Sequence, residues 1–125
     1  MGKIKEYFFD TYAIFEMIHN NKNYLYYTKN IGIITTKLNL MELHYRLIAL
    51  YGKDIANKAY ERFKNFCVEI DDDVIKEANK FKLINKKRRL SYIDCIGYMI
   101  ARYRNVRFLT GDIQFKNLDN VEFVK

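Results

Sequence analysis

The chain has 125 residues, half of them apolar and 16% aromatic, with 11 Tyr and 9 Phe but only 5 Gly and neither Pro nor Trp. That length suits one domain, residues 1 to 125, with its own core, and the composition excludes a disordered or disulfide-stapled chain. Lys and Arg outnumber Asp and Glu by 22 to 15, a net charge of +7 that favours encounter with polyanions such as nucleic acid.

Residues 4 to 9, Ile-Lys-Glu-Tyr-Phe-Phe, predict an aromatic strand, which Asp10-Thr11 closes with a helix-capping pair. Residues 12 to 18 are apolar almost all round and predict a largely buried helix, ended by the polar residues 20 to 23. Residues 24 to 28 are ambiguous and suit a short helix, and the β-branched residues 31 to 35 read as a second strand. Leu40, Met41, Leu43, Leu47, Ile48 and Tyr51 recur at helical spacing before a Gly52 stop, and a second amphipathic helix through Ala56, Ala59, Tyr60, Phe63 and Phe66 predicts a helical hairpin. Cys67-Val68-Glu69-Ile70 is expected as a short third strand, and Asp71-Asp72-Asp73 open a helix through Val74, Ile75, Ala78 and Phe81. The basic run Lys86-Lys87-Arg88-Arg89 precedes a helix through Ile93, Ile96, Ile100 and Tyr103. A strand over 106 to 109, a Gly111-Asp112 turn and a final strand over 121 to 124 complete the chain. Strands alternating with helices predict an α/β fold in three layers, with a parallel sheet covered on both faces.

Cys67 and Cys95 lie on separate elements without metal-ligating spacing and read as free thiols. No stretch approaches the ~18 to 20 apolar residues that span a bilayer. The first residues hold no apolar run of signal-peptide length, so a cytoplasmic protein is expected.

In such a sheet the ligand site lies beyond the carboxyl ends of the strands. Asp10 and Asp112 fall there, and Glu42 and Asp94, near the starts of their helices, are expected at the same rim. Each acid alone has a plain structural role: Asp10 as a helix cap, Glu42 as partner of Arg46, Asp94 in a capping box with Ser91, Asp112 in a turn. Several are also embedded in apolar sequence, which predicts partial burial. Two like charges ~4 Å apart repel by about 4 kcal/mol at an effective dielectric near 20, so converging carboxylates call for a cation. An all-oxygen set without paired His or Cys favours Mg2+ or Mn2+. His19 and His44 have no ligand partner at useful spacing and read as structural or surface residues.

Tyr7-Phe8-Phe9-Asp10-Thr11, Leu40-Met41-Glu42-Leu43, Leu90-Ser91-Tyr92-Ile93-Asp94 with Ala101, and the run from Phe108 to Phe115 around Asp112 resemble, in order, the motifs of the PIN domain family. The resemblance spans essentially the whole chain and is strongest to small proteins of the VapC toxin type. It implies a parallel sheet of about five strands in the order 3-2-1-4-5 and a metal-dependent ribonuclease leaving 5′-phosphate and 3′-hydroxyl ends. Asp10, Glu42, Asp94 and Asp112 match the family's acidic quartet and Thr110 its supporting hydroxyl. A small antitoxin partner and a homodimer are also implied. The chain departs from the pattern at Gln114, where members often carry another acid, and at Tyr98, where they often carry a small residue.

The basic residues Lys86, Lys87, Arg88 and Arg89 directly precede the helix bearing Asp94 and suit an RNA backbone, or equally a solvated loop. Housekeeping RNA processing and a non-catalytic RNA-binding module remain alternative readings. A phosphotransfer domain fits poorly, because Asp10 lacks a second Asp two residues on.

Overall fold

The structure, a computed structural model, describes residues 4–125. Strand β1 (Lys5–Phe9) forms because its aromatic run finds a packing partner on each face. Side chains alternate across a strand, so Tyr7 and Phe9 enter one core and Phe8 the other. Asp10 ends β1 and caps α1 (Thr11–Ile18). A 3-10 segment (Lys22–Thr28) that buries Tyr24 and Tyr27 leads to β2 (Ile31–Ile34). The expected hairpin is α2 (Lys37–Tyr51) and α3 (Lys53–Phe63), hinged at Gly52 with a φ of 90°. Then come α4 (Asp72–Ile84), α5 (Tyr92–Tyr103), β3 (Arg107–Thr110) and β4 (Val121–Phe123).

The sheet is parallel throughout, in the order β2-β1-β3-β4. Phe8 lies opposite both Ile34 and Phe108. On one face, Leu40, Leu43 and Leu47 of α2 and Phe63 of α3 pack with Tyr7, Phe9 and Leu109. On the other, Val74 and Ala78 of α4 and Cys95 and Tyr98 of α5 pack with Phe8 and Phe108. The three-layer architecture is as expected. With few glycines, the chain makes its left-handed turns at Asn20, Asn30, Asn105, Asn117 and Asn120, the non-glycine type that best tolerates positive φ. No described helix is long and apolar enough to cross a membrane.

The sheet has four strands where five were expected. Residues 67 to 70 contribute only a parallel bridge between Thr35 and Cys67, with Thr35 N donating to Phe66 O (3.1 Å) and Val68 N to Thr35 O (2.9 Å). A 3-10 turn (Lys64–Phe66) ends just before this segment, and Asp71 caps α4 just after it. The chain is turned into the next helix before a ladder can extend. The bridge lies beside β2, where the expected third strand belongs, so the order agrees with 3-2-1-4-5 at every position except this shortened edge.

Helix α5 approaches the sheet closely because Gly97 has no side chain: a Cβ there would lie 2.7 Å from the Phe8 ring and 3.2 Å from that of Phe108. Replacing a helical glycine by alanine ordinarily stabilises. Here Gly97→Ala is expected to destabilise by about 1–3 kcal/mol through overpacking, read as a lowered urea midpoint; an unchanged or raised midpoint would contradict this contact.

Candidate active site

The carboxyl ends of the parallel strands carry the expected acids. Asp10 directly follows β1, Asp112 lies two residues past β3, Asp94 is in the first turn of α5 and Glu42 in the second turn of α2. All four line one cavity of about 620 Å³, with Thr11 and Ser91 between them.

Three of the acids are also caps. Asp10 Oδ1 accepts from Ala13 N (2.8 Å), and Asp112 Oδ1 accepts from Gln114 N (2.9 Å). Asp94 Oδ2 accepts from Ser91 N (2.9 Å) while Ser91 Oγ accepts from Asp94 N (3.0 Å), a complete capping box. Each cap occupies one carboxylate oxygen and fixes the side chain's direction. The N-terminal ends of α1 and α5 also present positive dipole to Asp10 and Asp94.

Glu42 is positioned differently, by a polar relay between α1 and α2. Thr36 caps α2 and donates to Asn39 Oδ1 (2.6 Å), Asn39 Nδ2 donates to Thr11 Oγ1 (3.2 Å), and Thr11 Oγ1 donates to Glu42 Oε1 (2.7 Å). Thr36 and Asn39 are buried, so the relay is held inside the fold. Sequence reading missed Asn39 and took Thr11 for a capping residue only. The one available signal was an amide in an otherwise apolar stretch, three residues before Glu42.

Thr110 is fully buried under the site. Its hydroxyl accepts from Asp112 N (3.0 Å). Between them, Gly111 passes so close to the Tyr12 ring and Val124 O that any side chain would collide.

Burial pushes Asp10 up to about 8 from an ordinary 3.8, with the charges of Asp94 and Asp112 adding to the rise and the Thr110 and Ala13 hydrogen bonds opposing it. Burial also raises Glu42 and Asp94. No Lys or Arg is ion-paired with the four acids among the described residues, where the ion pairs are Lys64 with Glu61, Lys80 with Glu77 and Arg107 with Glu122.

Lys86, Lys87 and Arg88 form a 3-10 turn and Arg89 adopts φ 58°. Arg88 donates to the carbonyls of Gln114 (3.0 Å) and Lys116 (3.1 Å), tying this basic turn to the segment after Asp112. His19 and His44 bond elsewhere, to Tyr51 and Asn57 among others, and Cys67 and Cys95 are free.

The PIN domain family profile matches residues 7–121. The chain belongs to the PIN domain family. Similar solved structures include the Mycobacterium tuberculosis VapC20, a toxin that cleaves the Sarcin-Ricin loop (TM-score 0.78, 18% identity, covering 94% of this chain and 98% of that one). VapBC2 from Rickettsia felis, bound to a DNA fragment from its promoter, is also similar (TM-score 0.71, 18% identity, 96% and 99%). So is a toxin–antitoxin complex from Klebsiella pneumoniae (TM-score 0.71, 13% identity, 93% and 95%). At these identities the likeness is one of fold. A comparison with curated proteins gives no significant match.

In this PIN domain the donor set fits a hard divalent ion in kind: four carboxylates around one cavity, no competing soft ligand and no basic residue paired with them. Among the described residues, no three of its Asp, Glu, His or Cys side chains form a ready ligating group. The structure presents a shared acidic cavity, not a closed coordination shell.

The raised Asp10 predicts a pH dependence. A group bound more tightly by its proton in the folded state supports folding fully below its unfolded value, and that support is lost as pH rises through the folded value. The contribution is therefore whole at about pH 4 and gone above about pH 8. Asp10→Asn keeps the cap and removes the charge. In metal-free buffer it is expected to match the native chain near pH 4 and to exceed it at pH 8 by roughly 2–5 kcal/mol, measured by chemical denaturation at both values. An equal difference at the two pH values would refute the burial argument.

Proposed function

We propose that this PIN domain is a metal-dependent endoribonuclease that hydrolyses RNA phosphodiester bonds in the cytoplasm, as the toxin of a toxin–antitoxin pair. The observation that carries this reading is the gathering of Asp10, Glu42, Asp94 and Asp112 around one cavity at the carboxyl rim of the sheet, on a chain whose net charge is nonetheless +7. These four would hold Mg2+ or Mn2+. When bound, such an ion offsets charge on the scissile phosphate and lowers the pKa of the attacking water.

The chain's own groups prepare that site. Ser91 sets the direction of Asp94, the Thr11 hydroxyl sets that of Glu42, and the Thr110 hydroxyl holds the backbone N–H of Asp112. Preorganisation of this kind spares the reorganisation that mobile side chains would undergo during reaction. The turn carrying Lys86, Lys87, Arg88 and Arg89 leads through Leu90 into Ser91 at the cavity edge. Lys82, Lys86 and Tyr92 line an adjoining hollow of about 380 Å³, with Lys82 Nζ 4.9 Å over the Tyr92 ring. Cations next to an exposed aromatic face suit a single-stranded backbone and its bases. The antitoxin partner is supported by the likeness to toxin–antitoxin structures, and the homodimer is implied by the family resemblance alone.

The purified chain is expected to cleave single-stranded or structured RNA in Mg2+ or Mn2+, leaving 5′-phosphates, and to be silent in EDTA. Asp94→Asn keeps an acceptor for Ser91 and should fold normally while losing at least about 100-fold in rate. Product-end mapping and circular dichroism check both points; cleavage undiminished in the variant or in EDTA would remove the assignment.

A further inference from the structure

Arg46 lies one helical turn beyond Glu42 on α2 and lines the acidic cavity. The i,i+4 spacing predicts an ion pair with Glu42, and that pair does not form among the described residues. Glu42 takes its hydrogen bond from Thr11. The guanidinium carbon of Arg46 instead lies 3.9 Å over the centre of the Phe15 ring. Phe15 is itself stacked on His19, with centroids 4.0 Å apart and planes at 28°. His19 is fixed through both ring nitrogens, Nδ1 to Phe15 O (2.7 Å) and Nε2 to the Tyr51 hydroxyl (2.6 Å). Tyr51 is the last residue of α2, so the shelf beneath Arg46 is braced at the ends of two helices.

A guanidinium held by its face keeps its edge free, and that edge is a planar fork of N–H donors matched to phosphate oxygens. The four carboxylates of this cavity repel a polyanion, whereas Arg46 is a cation on the same wall whose charge favours the ionised Glu42 but which forms no ion pair among the described residues. We propose that Arg46, seated on Phe15, is a substrate-binding residue that clamps a phosphate of the RNA strand beside the scissile bond. The inference rests on the nuclease reading and adds to it a residue outside the acidic set. Phe15 is the positioning residue, acting through Arg46.

The test is binding of a labelled single-stranded RNA, by fluorescence anisotropy across a salt series, to full-length Asp94→Asn with and without Arg46→Ala. Loss of one phosphate contact should weaken binding about tenfold at low salt and reduce the slope of log K against log salt by about 0.7. Arg46→Lys keeps the charge without the fork, so it should retain the slope and recover only part of the affinity. Arg46 is exposed, so the unfolding midpoint should stay unchanged, separating contact from fold. In the otherwise native chain, Arg46→Ala should raise KM for RNA with little change in kcat. Unchanged affinity and slope, with the native chain still cleaving RNA, would overturn the clamp and leave the nuclease standing. Neither binding nor cleavage by any form would overturn both.

Discussion

Asp10 sits where the central strand ends and α1 begins, buried, with the Ala13 N–H bonded to its carboxylate and the nearby Thr110 favouring its charge. Two further carboxylates, Asp94 and Asp112, raise the cost of ionising it. Much of the molecule is arranged around that cost. Phe8 and Phe9 deliver Asp10 into a low dielectric by packing into opposite cores. Thr110, on the neighbouring strand, reaches it from beneath, and Gly111 lets the following turn pass close enough to bring Asp112 alongside. A fold shaped only for stability would place an apolar residue or a paired acid there. Among the described residues the cluster at the strand ends has no ion-pair partner, and that arrangement costs stability.

Capping contacts also set the direction of the carboxylates that line this cavity. Asp10 and Asp112 cap helical elements and Asp94 completes the capping box that Ser91 opens, and each lines the cavity as well. A cap fixes a carboxylate's rotamer at the point where the chain enters a helix, which in a parallel sheet is also the ligand rim. The structural reading of these acids therefore does not compete with the functional one. Glu42 has no cap to make, being in the second turn of α2, and it alone needs the separate relay through Thr11 and Asn39.

What was legible in the sequence is what local chemistry determines. The aromatic run ending at Asp10, the Ser91-to-Asp94 box and the hinge at Gly52 each carry their own signal, and with them came the layers and the positions of the four acids, while the strand order came from the family resemblance. The edge strand at residues 67 to 70 was misread because a four-residue run with only two β-branched residues, Val68 and Ile70, fixes no ladder. Its fate was decided by the 3-10 turn before it and the Asp71 cap after it. The Asn39–Thr11–Glu42 relay and the stacking of Arg46 on Phe15 were invisible for another reason. They join α1 to α2 across about thirty residues, and spacing within α2 pointed to the local Glu42–Arg46 pair instead. Tertiary contact overrode that i,i+4 preference, which is worth only about 0.2–0.5 kcal/mol.

The two departures from the family pattern fall on different parts of the molecule. Tyr98 is buried in the second core, stacked on Phe81 at 4.6 Å, with its hydroxyl donating to Asp119 O. It fills space between α4, α5 and the sheet, and lies away from the cavity wall. Gln114 belongs to the site's turn, and its backbone is spent there, its N–H on Asp112 and its carbonyl on Arg88. An acid at that position would add charge next to Asp112 and draw on Arg88. Gln114 adds no charge beside Asp112, and Arg88 ties the basic run to the segment bearing Asp112. The geometry thus separates two sets of groups: four carboxylates around one cavity, and cations beside it, with Arg88 tied to the turn after Asp112 and Arg46 seated on Phe15.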